Sequence, residues 1–269
     1  MITKIHQTSK TKNLNKFQQE CSENAQIYHP ESEYNLWDDE DIKTLAEKEF
    51  PDLLKVWNQL QGIQRADIGR YLILYVNGGI YVDTDVIFNK NFFNNMDFDK
   101  NKIYFAPSVK IFPWNDLTMT NYIIYAPQVR MEFFKDLVKE CIKRVREFKN
   151  TYSIDYVPYT TGRVVVTDMA KKYKNINIMD ENKVLNKFCA NTEITDKNIC
   201  YHEGSTIRND EDGSWRSNGL MTLIEQECKM REHLGISGNV CQVPVTIIAI
   251  NIFIFVMLYI GYKVWSNKR

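Results

Sequence analysis

The sequence predicts an α/β domain followed by one membrane-spanning helix. Three stretches carry that expectation. GIQRADIGRYLILYVNGGIYVDTDVIF, Gly62 to Phe88, reads as a helix, a glycine turn and a strand, which is half of an α/β unit. MEFFKDLVKECIKRVREFK, from Met131, reads as an amphipathic helix. VPVTIIAINIFIFVMLYIGY, Val243 to Tyr262, contains no charged residue and is about as long as the ~20 residues that cross a bilayer.

Taken in order, ITKIHQT reads as a short first strand that runs into a loop. In EYNLWDDEDIKTLAEKEFPDLL, Asp38 or Asp39 caps a helix whose first turn is acidic. Pro51 ends that helix and can begin another. Ala66, Leu72, Ile73, Tyr75 and Val76 suit a largely buried helix. Asn77-Gly78-Gly79 stops it, because glycine takes the left-handed conformation without a Cβ penalty. IYVDTDVIF then turns to period two and reads as a strand. In the later amphipathic helix Phe134, Leu137, Val138, Cys141, Val145 and Phe148 line one face, and the charged residues read as a solvated face. TTGRVVVTDMAKKY reads as a turn and a helix.

The chain of 269 residues balances 34 basic against 34 acidic residues, which suits one large domain plus an appendage and gives no footprint of a nucleic-acid binder. The expected division is a catalytic domain over 1–235, a linker over 236–242, the membrane helix over 243–262 and a short basic tail over 263–269. Tyr259, Tyr262 and Trp265 cluster at one end of the span as interfacial aromatics do. MITKIHQTSK has no apolar core of a signal peptide. A C-terminal anchor with the catalytic domain in the cytosol is the expectation, and a lumenal orientation is the alternative. The six cysteines form no CxxC pair and read as reduced, buried thiols.

Two aspartates, Asp83 and Asp85, interrupt an otherwise apolar strand. On a strand, Tyr81, Asp83 and Asp85 share a face, with the aspartate Cα atoms roughly 6.6 Å apart. Two carboxylates at a buried strand end repel each other and lose hydration. A bound divalent cation offsets both, and oxygen ligands select a hard ion, Mg²⁺ or Mn²⁺. Asp67 and Arg70 amid YLILYV are poor core residues unless paired with each other or with a ligand.

ADIGRYLILYVNGGIYVDTDV, with the opening KIHQT and the segment YNLWDDED, resembles the signature of glycosyltransferase family 32. The resemblance covers about the first 100 residues. It implies a GT-A fold, a mixed and mostly parallel sheet flanked by helices, and retaining transfer of a hexose from a nucleotide-sugar. By the same resemblance Asp85 holds the metal, and Asp83 contacts the donor and the metal. Asp67 and Arg70 hydrogen-bond the donor sugar, with Arg70 near phosphate, and these four carry catalysis. Tyr81 stands near the donor or in the core wall. His6 or Gln7 lines the base pocket, an ordinary core histidine being the alternative for His6. Asn121 faces the donor sugar, Ser214 and Trp215 close over the nucleotide, and His202 completes the metal shell. Thr161-Gly162-Arg163 departs from the family's usual T-G-P on the acceptor side.

The implied partners are GDP-mannose or a UDP-hexose and a glycan or lipid-linked acceptor at the membrane, with front-face attack by the acceptor hydroxyl. Two other readings use the same residues: a membrane-anchored protein with a degenerate, non-catalytic fold, and a metal-dependent phosphoryl-transfer enzyme. The latter calls for more acidic ligands than the sequence offers.

Overall fold

A computed structural model describes residues 3–108, 119–148, 156–187 and 193–203. In chain order the elements are β1 (Lys4–Thr8), α1 (Lys16–Tyr28), β2 (Glu33–Trp37), α2 (Asp39–Glu49), α3 (Pro51–Leu54), α4 (Gly62–Asn77), β3 (Gly79–Val82), β4 (Val86–Phe88), α5 (Phe92–Asn95), β5 (Ile103–Pro107), β6 (Met119–Ala126), α6 (Glu132–Glu147), α7 (Tyr156–Thr160), α8 (Arg163–Ala170), β7 (Ile176–Ile178), β8 (Val184–Asn186) and β9 (Cys200–His202). A six-stranded sheet in the order β2-β1-β3-β6-β5-β7 forms the centre. β1 pairs in parallel with β2 and β3, and β5 with β7. β6 alone runs against its neighbours, so the sheet is mixed and mostly parallel, as expected.

Each face of this sheet carries a core. Tyr81, Phe105 and Ile124 point into one, against Ile42 of α2, Ile68 and Leu72 of α4, Leu137 and Cys141 of α6 and Val165 of α8. Ile80, Val82 and Ile123 point into the other, against Ala25 of α1 and the small three-stranded sheet β4-β9-β8. The period-two alternation of β3 thus feeds two cores, which is why its sequence is apolar at every position.

Local chemistry explains the helix ends. Asp38 caps α2 by accepting from Asp41 N–H, and Asp41 reciprocates. Pro51 opens α3 at a position where no backbone donor is needed. Gly78 and Gly79 end α4 with φ of 61° and 86°. A Cβ on Gly79 would stand 2.5 Å from the Lys4 carbonyl, so the residue must be glycine for β3 to lie against β1. This turn reverses the chain. Arg70 to Gly78 spans about 12 Å of helix and Gly79 to Asp83 about 13 Å of strand, so the early turns of α4 come to lie beside the end of β3.

Two expectations need correction. The charged face of α6 is not wholly solvated. Arg144 is buried and pairs with Glu140 at 2.9 Å and with Asp168 of α8 at 3.1 Å. Phe148 caps that helix and is only partly buried. The second correction concerns the strand around Asp83, which breaks, as described below. Cys21, Cys141 and Cys200 are free and buried. Cys189, Cys228 and Cys241 lie outside the described residues, as do Ser214, Trp215 and the Val243–Tyr262 stretch. Among the described residues no helix is long and apolar enough to cross a membrane.

His6 takes the core alternative. It is buried at the centre of β1, accepts from the Trp37 indole at Nδ1 (3.2 Å) and donates from Nε2 to the Gly78 carbonyl (3.1 Å). Burial lowers its pKa from 6.5 to about 4. The unfolded chain therefore binds a proton between those values that the folded chain refuses, and stability falls as pH drops through this window. The full shift corresponds to about 3 kcal/mol. Chemical denaturation between pH 7 and pH 4 should show a loss of this order, and the non-titrating His6→Gln variant should show a correspondingly flatter profile. Equal slopes for the two proteins would contradict the assignment.

Candidate functional site

The site forms where β1 and β3 end and β6 begins, beside the early turns of α4. β3 stops at Val82, and Asp83-Thr84-Asp85 form a turn, not the continuous strand that the sequence reading expected. Asp83 N–H donates to the Tyr122 carbonyl (2.8 Å), Val86 N–H donates back to the Asp83 carbonyl (3.3 Å), and β4 then departs into the small sheet. The reason is electrostatic and local. Asp and Thr favour turns through side-chain competition with the backbone, and two adjacent carboxylates on one buried strand face would repel.

Gln7 secures the turn. Its side-chain amide donates to the Asp83 carbonyl (3.2 Å), while its Oε1 accepts from Ser22 (2.7 Å) and Tyr34 (2.7 Å). Gln7 is fully buried. His6 and Gln7 are both buried, and their side chains are engaged by protein partners beside the turn.

Arg70 is the electrostatic centre. Its side chain is 4% exposed and lies 3.3 Å from Asp67 Oδ1 and 3.1 Å from Asp83 Oδ1. It also donates to the Asn121 carbonyl (2.7 Å) and packs over the Tyr81 ring at 4.7 Å. Burial opposes its charge, but Asp83, Tyr81 and Asp67 outweigh that and raise its pKa. Its donors are turned inward on these partners.

Asp67 is likewise buried and satisfied. Oδ1 accepts from Asn121 (2.8 Å) and Oδ2 from Thr161 (2.9 Å). Burial raises its carboxyl above the usual value, against the pull of Arg70. Tyr81, buried in the wall, donates to Asp83 Oδ1 (2.6 Å) and meets the Thr8 hydroxyl at 2.8 Å. Asn121 also donates to Tyr71 OH (2.8 Å). The structure therefore gathers Asp67, Arg70, Tyr81, Asp83 and Asn121 into one network.

On the solvent side, Asp83, Asp85 and His202 each offer a ligand atom within 4.8 Å of the others. β9 runs antiparallel to β4 with His202 opposite Val86, and Glu203 N–H donates to the Asp85 carbonyl (3.0 Å). His202 Nε2 stands 3.0 Å from Asp85 Oδ1. Burial raises the Asp83 carboxyl above its ordinary value, Asp85 adds to this, and Arg70 opposes it. Two crowded carboxylates and an imidazole at partial exposure are a donor set that fits a divalent cation.

Thr8, Tyr71, Tyr122 and Thr161 were not singled out as site residues by their positions in the sequence. Thr161 lies in the T-T-G stretch, but only the fold brings it to Asp67. Removing the guanidinium should leave Asp67 and Asp83 uncompensated. Arg70→Met is expected to lose about 3 kcal/mol or more of stability in urea unfolding, and Arg70→Lys less. A loss below about 1 kcal/mol for Arg70→Met would contradict a buried charge network.

Residues 15–105 match the family model described as "Glycosyltransferase sugar-binding region containing DXD motif". Inositol phosphoceramide mannosyltransferase 3 of Schizosaccharomyces pombe is 38% identical over 87 residues, covering 32% of this chain and 24% of that protein. Mannosyl phosphorylinositol ceramide synthase SUR1 of Saccharomyces cerevisiae is 38% identical over 82 residues, covering 30% of this chain and 22% of that protein. The matches thus span about a quarter of the length of these relatives. Among solved structures, one described as PaToxG Glycosyltransferase is 18% identical, covers 64% of this chain and 69% of its own, and gives a TM-score of 0.49, too slight a likeness to bear on activity. Asp83 and Asp85 are the paired aspartates of the segment, residues 15–105, that resembles a glycosyltransferase sugar-binding region containing a DXD motif.

Proposed function

We propose that this chain is a metal-dependent glycosyltransferase that moves a hexose, with retention, from a nucleotide-sugar to a membrane-associated acceptor. The observation that carries the reading is the convergence of Asp83, Asp85 and His202 within 4.8 Å, on a turn at the ends of the central strands. Strand ends of open α/β sheets are where nucleotides bind.

Asp83, Asp85 and His202 would hold the cation, which when bound neutralises charge on a departing diphosphate. Arg70 fixes the rotamer of Asp83 from behind and favours its charged form against the effect of burial. Asp67 and Asn121 form a polar floor whose hydrogen bonds are already in place, so little reorganisation is needed when a sugar hydroxyl exchanges into it. Thr161 orients the second oxygen of Asp67. A donor sugar over this floor would have carboxylates close to its anomeric carbon, which favours oxocarbenium character. No side chain in the network stands out as an enzymic nucleophile, which accords with front-face attack by the acceptor.

The printed names of the fungal relatives favour mannose as the sugar, hence GDP-mannose as donor, and an inositol phosphorylceramide-like lipid as acceptor. A UDP-hexose is the alternative donor. A C-terminal anchor at Val243–Tyr262 would keep the site beside such a lipid.

The test is nucleotide release by the full chain in detergent with Mn²⁺ and a panel of GDP- and UDP-sugars. Release from one donor is expected, reduced about 100-fold or more by Asp85→Asn and abolished by a chelator. No release from any donor, together with no nucleotide binding by calorimetry, would refute the proposal.

A further inference from the structure

We propose that Asn186 is a positioning residue that holds the His202 ring by its Nδ1 so that Nε2, and not a ring carbon, faces Asp83 and Asp85. The inference rests on the metal-binding reading of that trio. β8 and β9 pair in parallel with Asn186 directly opposite His202, so the two side chains stand abreast on the same face of the small sheet. Asn186 Oδ1 lies 3.3 Å from His202 Nδ1. On the other flank the Tyr122 ring stacks on the imidazole, with centroids 4.5 Å apart and planes at 23°. Nε2 points at Asp85.

These contacts fix different degrees of freedom. Tyr122 sets the plane of the ring but is indifferent to its rotation by a half-turn within that plane. Asn186 is not indifferent. When its oxygen accepts Nδ1–H, the neutral ring must carry its lone pair on Nε2, the nitrogen beside the carboxylates. A ligating imidazole held through its other nitrogen is oriented and made more basic, and loss of such a partner weakens metal binding by about 10- to 100-fold. A side chain without an acceptor at position 186 would leave both the tautomer and the ring flip open. Asn186 is a polar residue at the end of a short strand, two residues beyond the buried Val184.

The experiment is Mn²⁺ titration of the full chain, with the free ion followed by electron paramagnetic resonance, for the wild type, Asn186→Leu, Asn186→Asp and His202→Gln. Leucine keeps the branching and number of side-chain heavy atoms of asparagine and removes the acceptor; aspartate keeps the acceptor. The expected order is wild type about equal to or weaker than Asn186→Asp, Asn186→Leu weaker by at least 10-fold, and unchanged melting temperatures without metal. Should Asn186→Leu not fold, Asn186→Ala carries the same comparison. Wild-type binding that His202→Gln weakens but Asn186→Leu does not would overturn the role of Asn186 alone. The same holds if Asn186→Asp is as weak as Asn186→Leu. Wild-type binding that is absent, or untouched by His202→Gln, would overturn the metal site and this inference together.

Discussion

One buried guanidinium ties the helix to the strand end. Arg70 lies between Asp67, three residues earlier on its own helix, and Asp83, on the turn that β3 feeds. With both carboxylates ionised, a single positive charge would leave the cluster with an unbalanced negative charge, and Asp85 stands just outside it. Hydrogen bonds from Thr161, Asn121 and Tyr81 would spread part of that charge. A protein that sought only stability would gain from apolar residues here, since buried ion pairs seldom exceed their desolvation cost. The arrangement makes sense if the leftover negative field is used on a cation.

The break in the strand is what makes the field usable. Had Asp83 and Asp85 stayed on one continuous strand, their carboxylates would have shared one face of the central sheet. The turn sends β4 into a separate small sheet, whose next strand returns with His202. Gln7 holds the carbonyl of Asp83, and Glu203 N–H holds that of Asp85, so the backbone of the turn is fastened at both ends. The trio is thereby assembled on paired strands and a tethered turn, which limits how far its members can drift apart.

Much of the frame was legible in the sequence because it depends on local rules. Gly78-Gly79, Asp38 and Pro51 each announce an element boundary through backbone chemistry that needs no tertiary context. The period of α4 and the alternation of β3 were equally readable. The DXD turn was not, because IYVDTDVIF alternates as cleanly as a strand does, and only the pairing of Val86 to Phe88 with β9 reveals the break. The roles of His6 and Gln7 were hidden for a similar reason. A polar residue on a first strand reads the same whatever it bonds to; its partners Trp37, Ser22 and Tyr34 come from distant positions. Arg70 was readable as a residue needing partners, but its inward orientation depends on Asn121 and Asp83, which the helix alone does not locate.

The central claim is that Asp83, Asp85 and His202 together hold a divalent cation that meets a nucleotide diphosphate. Pulsed electron paramagnetic resonance of Mn²⁺ added to the full chain with GDP or UDP tests it at the atoms concerned. The account predicts a nitrogen coupling from one directly bound imidazole, lost in His202→Gln, and phosphorus couplings from the diphosphate in the same complex. A Mn²⁺ signal that shows phosphorus but no histidine nitrogen, unchanged by His202→Gln, would mean that the ion rides on the nucleotide and that this trio is not its site.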